Sequence, residues 1–192
     1  LLTQAGYPAD ALEDTPLCPL CGDRGWKGAA MCSCLGDLCR QEQIAELSSL
    51  LDLGDQSFQT FRLDYYSDQV DPQYGRSPRE AMALILRVCR QYGEGFPQYP
   101  HRNLFLYGAP GLGKTFLSAC IARTVSESGF SVVYDTAVNI FSRFEDKKFS
   151  RDAEDTREAR DETRRYLTCD LLILDDLGSE LTTQFVQSAL YE

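Results

Sequence analysis

Two continuous apolar runs stand out against the mixed hydrophobic and polar pattern of the chain. Residues 104–107 and residues 171–174 each have the length and composition of a buried strand. The second run has no polar alternation, which is typical of a parallel strand that is covered on both faces. A short β-branched stretch at residues 131–135 predicts a third strand. Together these runs predict a parallel sheet.

Apolar residues at helical spacing predict the helices around this sheet. One helix has a strong start signal, because Ser77, Pro78 and Glu80 occupy the N-cap, N1 and N3 positions of a capping box. That helix is expected to bury Ala81, Leu84, Ile85 and Val88. The last helix, residues 151–165, is rich in residues of both charge signs and is expected to be exposed. The predicted helices cover residues 42–53, 78–92, 116–125, 137–149 and 151–165.

A glycine-rich loop links the first predicted strand to a helix and matches the pattern G-x-x-x-x-G-K-[ST] at every fixed position. Its glycines let the backbone approach phosphate oxygens, and amides at the helix N-terminus point at the anion. Lys114 is predicted to lie between the β- and γ-phosphates of ATP, and Thr115 to ligate Mg²⁺. The predicted nucleotide-binding residues are Gly108, Ala109, Pro110, Gly111, Leu112, Gly113, Lys114, Thr115 and Phe116.

Two carboxylates follow the second apolar run. The carboxyl end of a strand in a doubly wound sheet lies beside the phosphate loop. Asp175 is therefore predicted to be the Walker B acid, which holds Mg²⁺ through its water and completes the nucleotide site. Asp176 is predicted to orient the attacking water, with Glu180 as the alternative base. Asp175, Asp176 and Lys114 form the predicted catalytic set.

Eight cysteines in a chain without a signal-peptide pattern indicate metal ligands and reduced thiols instead of disulfides. Cys18 and Cys21 lie on one tight turn, where Gly22 allows a positive φ. Cys32 and Cys34 complete a four-sulfur set suited to a structural Zn²⁺ ion. Three alternatives remain open at this point: Cys39 in place of Cys32 or Cys34, an iron–sulfur cluster, and thiols without metal.

The net charge of −10 over 192 residues argues against a broad grip on duplex DNA. Arg143, Lys147 and Arg151 are nevertheless four residues apart and share one helix face, which is either a solvated surface or a contact for nucleic-acid phosphates. No apolar run is long enough for a membrane span, so a cytoplasmic location without membrane contact is expected.

Aromatic residues cluster before the capping-box helix. They are Phe58, Phe61, Tyr65 and Tyr66. Such residues either stack on a base or fill a core, and core packing is the favoured interpretation.

With these motifs in place, the chain resembles AAA+ ATPases of the DnaC/DnaI type, the bacterial replicative helicase loaders, and their IstB-type transposition relatives. The resemblance rests on the cysteine knuckle, the aromatic stretch, the capping box, the phosphate loop and the Leu-Ile-Leu-Asp-Asp-Leu-Gly run. It covers the chain from about Cys18 onward. It implies an α/β AAA+ P-loop NTPase with a parallel sheet flanked by helices, preceded by a small zinc module. The predicted parts are a tether (1–15), a zinc-binding module with a following helix (16–56), a linker and helix (57–100) and an AAA+ core (101–192).

The resemblance further implies ATP-controlled loading of a hexameric ring helicase onto single-stranded DNA, slow hydrolysis and self-association in an AAA+ assembly. In the AAA+ strand order, the strand with the sensor-1 residue lies between the phosphate-loop strand and the Walker B strand. Because the chain stops at Glu192 within an expected helix from Thr182, an incomplete core is expected. Other hypotheses are an IstB-like transposition helper, a P-loop kinase, and a zinc-bearing DNA-binding module with an idle nucleotide site.

Overall fold

The computed structural model describes residue 6 and residues 16–51, 56–149 and 163–179, with only the backbone for residues 48–51 and 146–149. Its contacts divide the chain into two compact units, residues 1–41 and residues 42–192. Among the described residues, no helix combines the length and apolar character needed to cross a bilayer.

The first unit contains a small hairpin and the start of a helix. Strands β1 (Trp26–Lys27) and β2 (Ala30–Met31) pair antiparallel, with Lys27 opposite Ala30. Gly28 has φ 61° in the two-residue turn between them, a conformation that favours glycine. Helix α1 (Ser33–Leu51) begins directly after the hairpin. The predicted helix start at residue 42 is therefore wrong by nine residues, because helical backbone already begins within the cysteine pattern.

The second unit is built on two parallel strands, β3 (Val132–Thr136) and β4 (Leu171–Asp175). Their parallel pairing confirms the prediction for these two runs. Alternate residues of both strands point to opposite faces of the pair. One face packs against α3 (Lys114–Glu127), and the other packs against α4 (Ala137–Phe149). The sheet thus lies between two helical layers, which places the end of β4 beside the start of α3.

Helix α2 (Pro78–Gly95) packs on α3, and its predicted capping box is present. Its buried face differs from the prediction, since Met82, Cys89, Tyr92 and Gly93 are the buried positions. Leu84, Ile85 and Val88 are 40–45% exposed instead. Both stripes have helical spacing. The buried stripe faces α3, because Gly93 lacks a side chain and can approach Thr124 of that helix closely.

Residues 104–107, predicted as a strand, pair with no strand in the part of the chain that the structure describes. Leu104 and Leu106 pack against the core, whereas Phe105 and Tyr107 are 71% and 83% exposed. The alternation of a strand is present, but no described residue pairs with this segment. A cavity of about 820 Å³ is lined by this segment on one side and by β4 on the other. The strand prediction for this segment is therefore not confirmed among the described residues.

Most of the charge-rich run at residues 151–165 lies outside the described residues, which resume at residue 163. Residues 163–168 are helical, and within them Thr163 and Tyr166 are buried. The expectation of an exposed helix over residues 151–165 is therefore wrong for Thr163, and Tyr166 lies just beyond that range. Tyr166 packs with Val133, Ile140 and Phe144 on the α4 side of the sheet.

Replacing Ser77 with alanine is expected to lower the free energy of unfolding of the second unit by about 1 kcal/mol. The Ser77 hydroxyl accepts the N–H of Glu80 at 3.2 Å, while the Glu80 carboxylate accepts the N–H of Ser77 at 2.8 Å. Urea unfolding followed by circular dichroism measures the change. Ser142→Ala, at an exposed position inside α4, is the matched control and should change stability by less than about 0.5 kcal/mol. Equal losses in the two variants would contradict the role of the cap.

Candidate functional site

The phosphate loop runs from Gly108 into the first turn of α3. Gly111 and Gly113 have φ values of 78° and 84°, which a residue with a side chain adopts only at a cost. Gly113 is the N-cap of α3, so the N–H groups of the residues that follow face the loop. The Lys114 ammonium lies 3.0 Å from the carbonyl oxygens of Gly108 and Ala109. A cation and a set of backbone amides therefore converge on the concave side of this loop, which suits a polyphosphate.

Two aromatic residues from the preceding segment support the loop, and sequence reasoning did not connect them with it. The Tyr66 hydroxyl donates to the carbonyl oxygen of Leu112 at 3.0 Å. Phe61 stacks on Tyr66 and meets the ring of Phe116 edge-on, with ring centroids 5.4 Å apart. A Cβ atom at Gly113 would lie 2.9 Å from the Tyr66 hydroxyl. Glycine is thus required there by close packing as well as by φ.

The other members of the aromatic stretch have different environments. Phe58 is 5% exposed and belongs to the main core, as the favoured interpretation expects. Tyr65 is 78% exposed, with the Arg62 guanidinium 4.8 Å above its ring. The four aromatic residues therefore do not form one continuous stacking surface.

The Asp175 carboxylate, at the end of β4, accepts three hydrogen bonds. Oδ2 accepts from the hydroxyl of Thr115 at 3.1 Å and from that of Tyr134 at 2.7 Å. Oδ1 accepts the N–H of Asp176 at 2.9 Å. The structure therefore brings together the two residues that were predicted to hold Mg²⁺, and it adds Tyr134, which no local pattern indicated. Burial and the hydrogen bond to Asp175 raise the pKa of Tyr134, so its hydroxyl stays protonated at neutral pH.

Asp176 is exposed and has φ 52°, a left-handed conformation that is uncommon outside glycine and more frequent for Asp and Asn. Its carbonyl oxygen accepts both the N–H and the hydroxyl of Ser179, which closes the turn after β4. Asp176 lines the same cavity as Lys114 and Asp175. The role of Asp176 as the acceptor for the attacking water stays a prediction. Glu180, the alternative base, lies outside the described residues.

The residues present fit Mg²⁺ and ATP. Thr115 offers a hydroxyl oxygen and Asp175 a carboxylate, which are the hard oxygen ligands that Mg²⁺ prefers beside phosphates. Lys114 supplies the charge that phosphate oxygens require. A bound Mg²⁺ ion would neutralise the phosphates, while Thr115 and Asp175 would hold it in place.

The second candidate site is the cysteine cluster of the first unit. The Sγ atoms of Cys18, Cys21, Cys32 and Cys34 all lie within 4.8 Å of one another. Two of these distances are 3.8 Å (Cys18 to Cys32) and 3.5 Å (Cys21 to Cys34). Four sulfurs around Zn²⁺, each at about 2.3 Å, would be separated by about 3.8 Å. The arrangement thus fits a tetrahedral zinc site. Cys39 is exposed on α1 and is not part of this group.

Backbone groups and one carboxylate shape the cysteine turn. Gly22 has φ 58°, and the N–H of Gly25 points at the Cys21 sulfur at 3.3 Å. Asp23, which sequence reasoning missed, accepts the N–H of Leu17 at 3.0 Å and that of Cys18 at 2.7 Å. The hairpin returns the chain to this turn, since the N–H of Cys32 donates to the carbonyl oxygen of Gly25 at 2.8 Å. The second pair of cysteines is thereby brought next to the first pair.

The thiols of this cluster differ in acidity. The backbone N–H of Cys34 lowers the pKa of the Cys32 thiol to about 7. Hydrogen bonds with the Cys21 and Cys18 thiols raise the pKa of Cys34. The Cys32 thiolate therefore forms readily near neutral pH, while its neighbours disfavour a negative charge on Cys34 unless a cation is bound.

The predicted nucleic-acid residues are only partly described. Arg143 is exposed on α4. The side chain of Lys147 and the whole of Arg151 lie outside the described residues. A basic stripe on this helix therefore stays a prediction.

Comparisons with known proteins agree with the nucleotide site. Residues 99–192 match the family model described as IstB-like ATP binding protein. The chain is similar to the chromosomal replication initiator protein DnaA of Aliarcobacter butzleri, with 31% identity over 92 residues, 46% of this chain and 20% of the relative. The same protein of Helicobacter hepaticus is 28% identical over 103 residues, 54% of this chain and 20% of the relative. For Campylobacter jejuni the identity is 31% over 91 residues, 47% of this chain and 19% of the relative.

The chain spans about a fifth of the length of these curated relatives. No solved structure matches it. Both similarities support an AAA+ ATP-binding class for the matched residues. The parallel β3–β4 pair, the flanking helices and the phosphate loop at the start of α3 agree with an AAA+ P-loop fold. The matches do not separate a helicase loader from an IstB-like helper within this class.

Lys114→Ala is expected to weaken the binding of a fluorescent ATP analogue to the protein by about tenfold or more, because a charge-assisted contact with phosphate is lost. Fluorescence titration of the purified chain measures the affinity. Arg87→Ala, which removes an exposed cation of α2 in the same unit, should bind like the wild type. Unaltered affinity in Lys114→Ala would exclude this lysine from the nucleotide site.

The purified protein is expected to carry about one zinc ion per chain, and Cys21→Ser is expected to lose it, because the tetrahedral set is broken. Plasma mass spectrometry measures the metal content. Cys39→Ser removes an exposed thiol of the same unit and should retain full zinc. Iron with inorganic sulfide in the wild type would point to a cluster, and full zinc in Cys21→Ser would argue against the four-cysteine set.

Proposed function

We propose that this protein is an ATP-controlled switch that loads the replicative DNA helicase onto single-stranded DNA. The observation that carries the nucleotide part is the hydrogen bond from Thr115 to Asp175, with Lys114 on the same loop. These groups bring a magnesium ligand, the Walker B acid and a phosphate-binding cation to one end of the sheet. ATP and Mg²⁺ are the cofactors that this chemistry favours.

In this proposal each residue has a separate task. The backbone amides after Gly113 and the Lys114 ammonium bind the β- and γ-phosphates, which orients the terminal phosphate. Thr115 and Asp175 hold Mg²⁺. Asp176 accepts a hydrogen bond from the attacking water and so turns its lone pair toward phosphorus. An aspartate is shorter than the glutamate that usually serves at this position in ring-forming ATPases. Slow hydrolysis, suited to a timer, is consistent with that difference.

The cysteine cluster supports a structural zinc module in the first unit. All four cluster positions are filled by cysteines, which leaves no open position for a substrate. The role proposed for Zn²⁺ is therefore to fold a segment that has little core of its own. Among the described residues of that unit, the buried hydrophobic residues are cysteines, and its hairpin pairs only two residues in each strand.

Two sources support a role in replication. The chain resembles the DnaC/DnaI-type loaders over its cysteine module as well as its ATPase motifs, and its ATPase part is similar to proteins named as chromosomal replication initiators. Partners of this function would be a hexameric helicase, single-stranded DNA and further copies of an AAA+ subunit. Arg143, Lys147 and Arg151 are the residues proposed to contact DNA phosphates.

A second candidate is a transposition helper that delivers a transposase to its target DNA. The family model that matches residues 99–192 carries the IstB description and favours this candidate. The nucleotide site would have the same task in both cases, so the partner protein decides between them.

The loader proposal is tested by capturing the host's replicative helicase with the immobilised protein in the presence of ATP and of ADP. The wild type is expected to capture helicase with ATP and to capture less of it with ADP. Lys114→Ala is expected to capture little with either nucleotide, because a protein that binds phosphate poorly cannot respond to ATP. Arg87→Ala controls for the loss of a surface charge and should capture helicase normally. Failure to capture helicase with either nucleotide would reject the loader, and ATP-dependent capture of a transposase would then favour the helper.

A further inference from the structure

A buried tyrosine contacts the Walker B carboxylate from the neighbouring strand. Tyr134 lies in β3 and is 9% exposed. Its ring belongs to the main core, together with Leu117, Ile121 and Leu171. Its hydroxyl donates to Asp175 Oδ2 at 2.7 Å, the shorter of the two hydrogen bonds at this oxygen. The packing of the ring therefore fixes the direction from which the donor approaches.

The pairing register explains the reach of this side chain. Tyr134 is opposite Ile173, and Thr136 is opposite Asp175. In a parallel pair, residues with this offset project from the same face of the sheet. A tyrosine at this position can extend along the face and place its hydroxyl at the end of β4. A phenylalanine would fill the same core space without a donor.

The carboxylate has about four lone-pair sites. Tyr134 and Thr115 occupy those of Oδ2, and the N–H of Asp176 occupies one of Oδ1. Donors from the described residues leave one acceptor site on Oδ1. Without Tyr134, the one described side chain that orients Oδ2 would be Thr115, which also has to serve as a ligand of Mg²⁺.

We propose that Tyr134 is a positioning residue of the magnesium site, which orients Asp175 so that the carboxylate can hold Mg²⁺ beside the phosphates. This inference rests on the nucleotide-binding part of the proposed function and does not depend on the helicase. Donors that orient a ligand carboxylate commonly change metal affinity by tenfold or more when they are removed. Tyr134 acts through Asp175 and does not itself contact the nucleotide in this role.

The opposite face of the sheet offers a matched control. The Tyr166 hydroxyl donates to Asp135 Oδ2 at 2.9 Å, and Tyr166 is also 9% exposed. Asp135 follows Tyr134 in β3, so the strand alternation directs its side chain to the α4 side, away from the face of Tyr134. Tyr166→Phe therefore removes the same kind of hydroxyl–carboxylate bond from the same sheet, but not from Asp175.

The test measures the affinity for a fluorescent ATP analogue in EDTA and across a titration with Mg²⁺. The wild type, Tyr134→Phe and Tyr166→Phe are compared as full chains, with circular dichroism as the check of folding. Tyr134→Phe is expected to need about tenfold more Mg²⁺ for half of the gain in affinity, with unchanged affinity in EDTA. Tyr166→Phe is expected to match the wild type in both conditions.

Two results would overturn the inference. An unchanged Mg²⁺ requirement in folded Tyr134→Phe would show that Asp175 needs no donor from β3. An equal loss of affinity in EDTA and in Mg²⁺ would show that Tyr134 supports the pocket as a whole and not the metal. No helicase takes part in this assay, so the two proposals can fail separately. If the wild type shows Mg²⁺-dependent nucleotide binding but captures no helicase, the loader proposal is rejected and the role of Tyr134 is not affected.

Discussion

The hydrogen bonding of one carboxylate joins the elements of the second unit. Asp175 ends β4 half-buried, and a carboxylate in such a place is stable only if donors replace the water it has lost. Those donors come from α3, from β3 and from the residue that follows. The phosphate loop, the parallel strand pair and the turn at Asp176 are thereby placed in one arrangement. The geometry of the nucleotide site is a consequence of satisfying this charge.

The two candidate sites use the same local device, although they lie in different units. Lys114 opens α3, and the sulfur of Cys34 belongs to the first turn of α1. The start of a helix offers unpaired N–H groups and the positive end of the helix dipole. In the second unit these groups suit phosphate oxygens, and in the first unit the backbone N–H of Cys34 lowers the pKa of the Cys32 thiol. In both units a glycine with positive φ, Gly113 or Gly22, lies close to the anion-binding turn.

Local rules account for what could be predicted from the sequence. The glycine loop before Lys114 and the capping box at Ser77 each depend on a few adjacent residues, so a local sequence pattern is enough to predict their geometry. Tyr134 and Tyr66 were missed because their partners lie 41 and 46 residues away in the chain. A tyrosine in a strand or in an aromatic stretch has no sequence signal that names such a partner. The buried stripe of α2 was missed for a related reason, since the packing of α3 selects one of two periodic faces.

The unpaired segment before the phosphate loop shows what apolar alternation does and does not determine. Leu104 and Leu106 turn toward the core even though no described residue forms a ladder with them, so the burial pattern follows side-chain chemistry alone. The segment is anchored at one end, where the Tyr92 hydroxyl donates to the carbonyl oxygen of Arg102 at 2.8 Å. The loop that follows it is held by Tyr66 through Leu112. The hydrogen bonds from Tyr92 and Tyr66 therefore help to position the phosphate loop. Among the described residues, no neighbouring strand contributes a hydrogen bond to the segment before it.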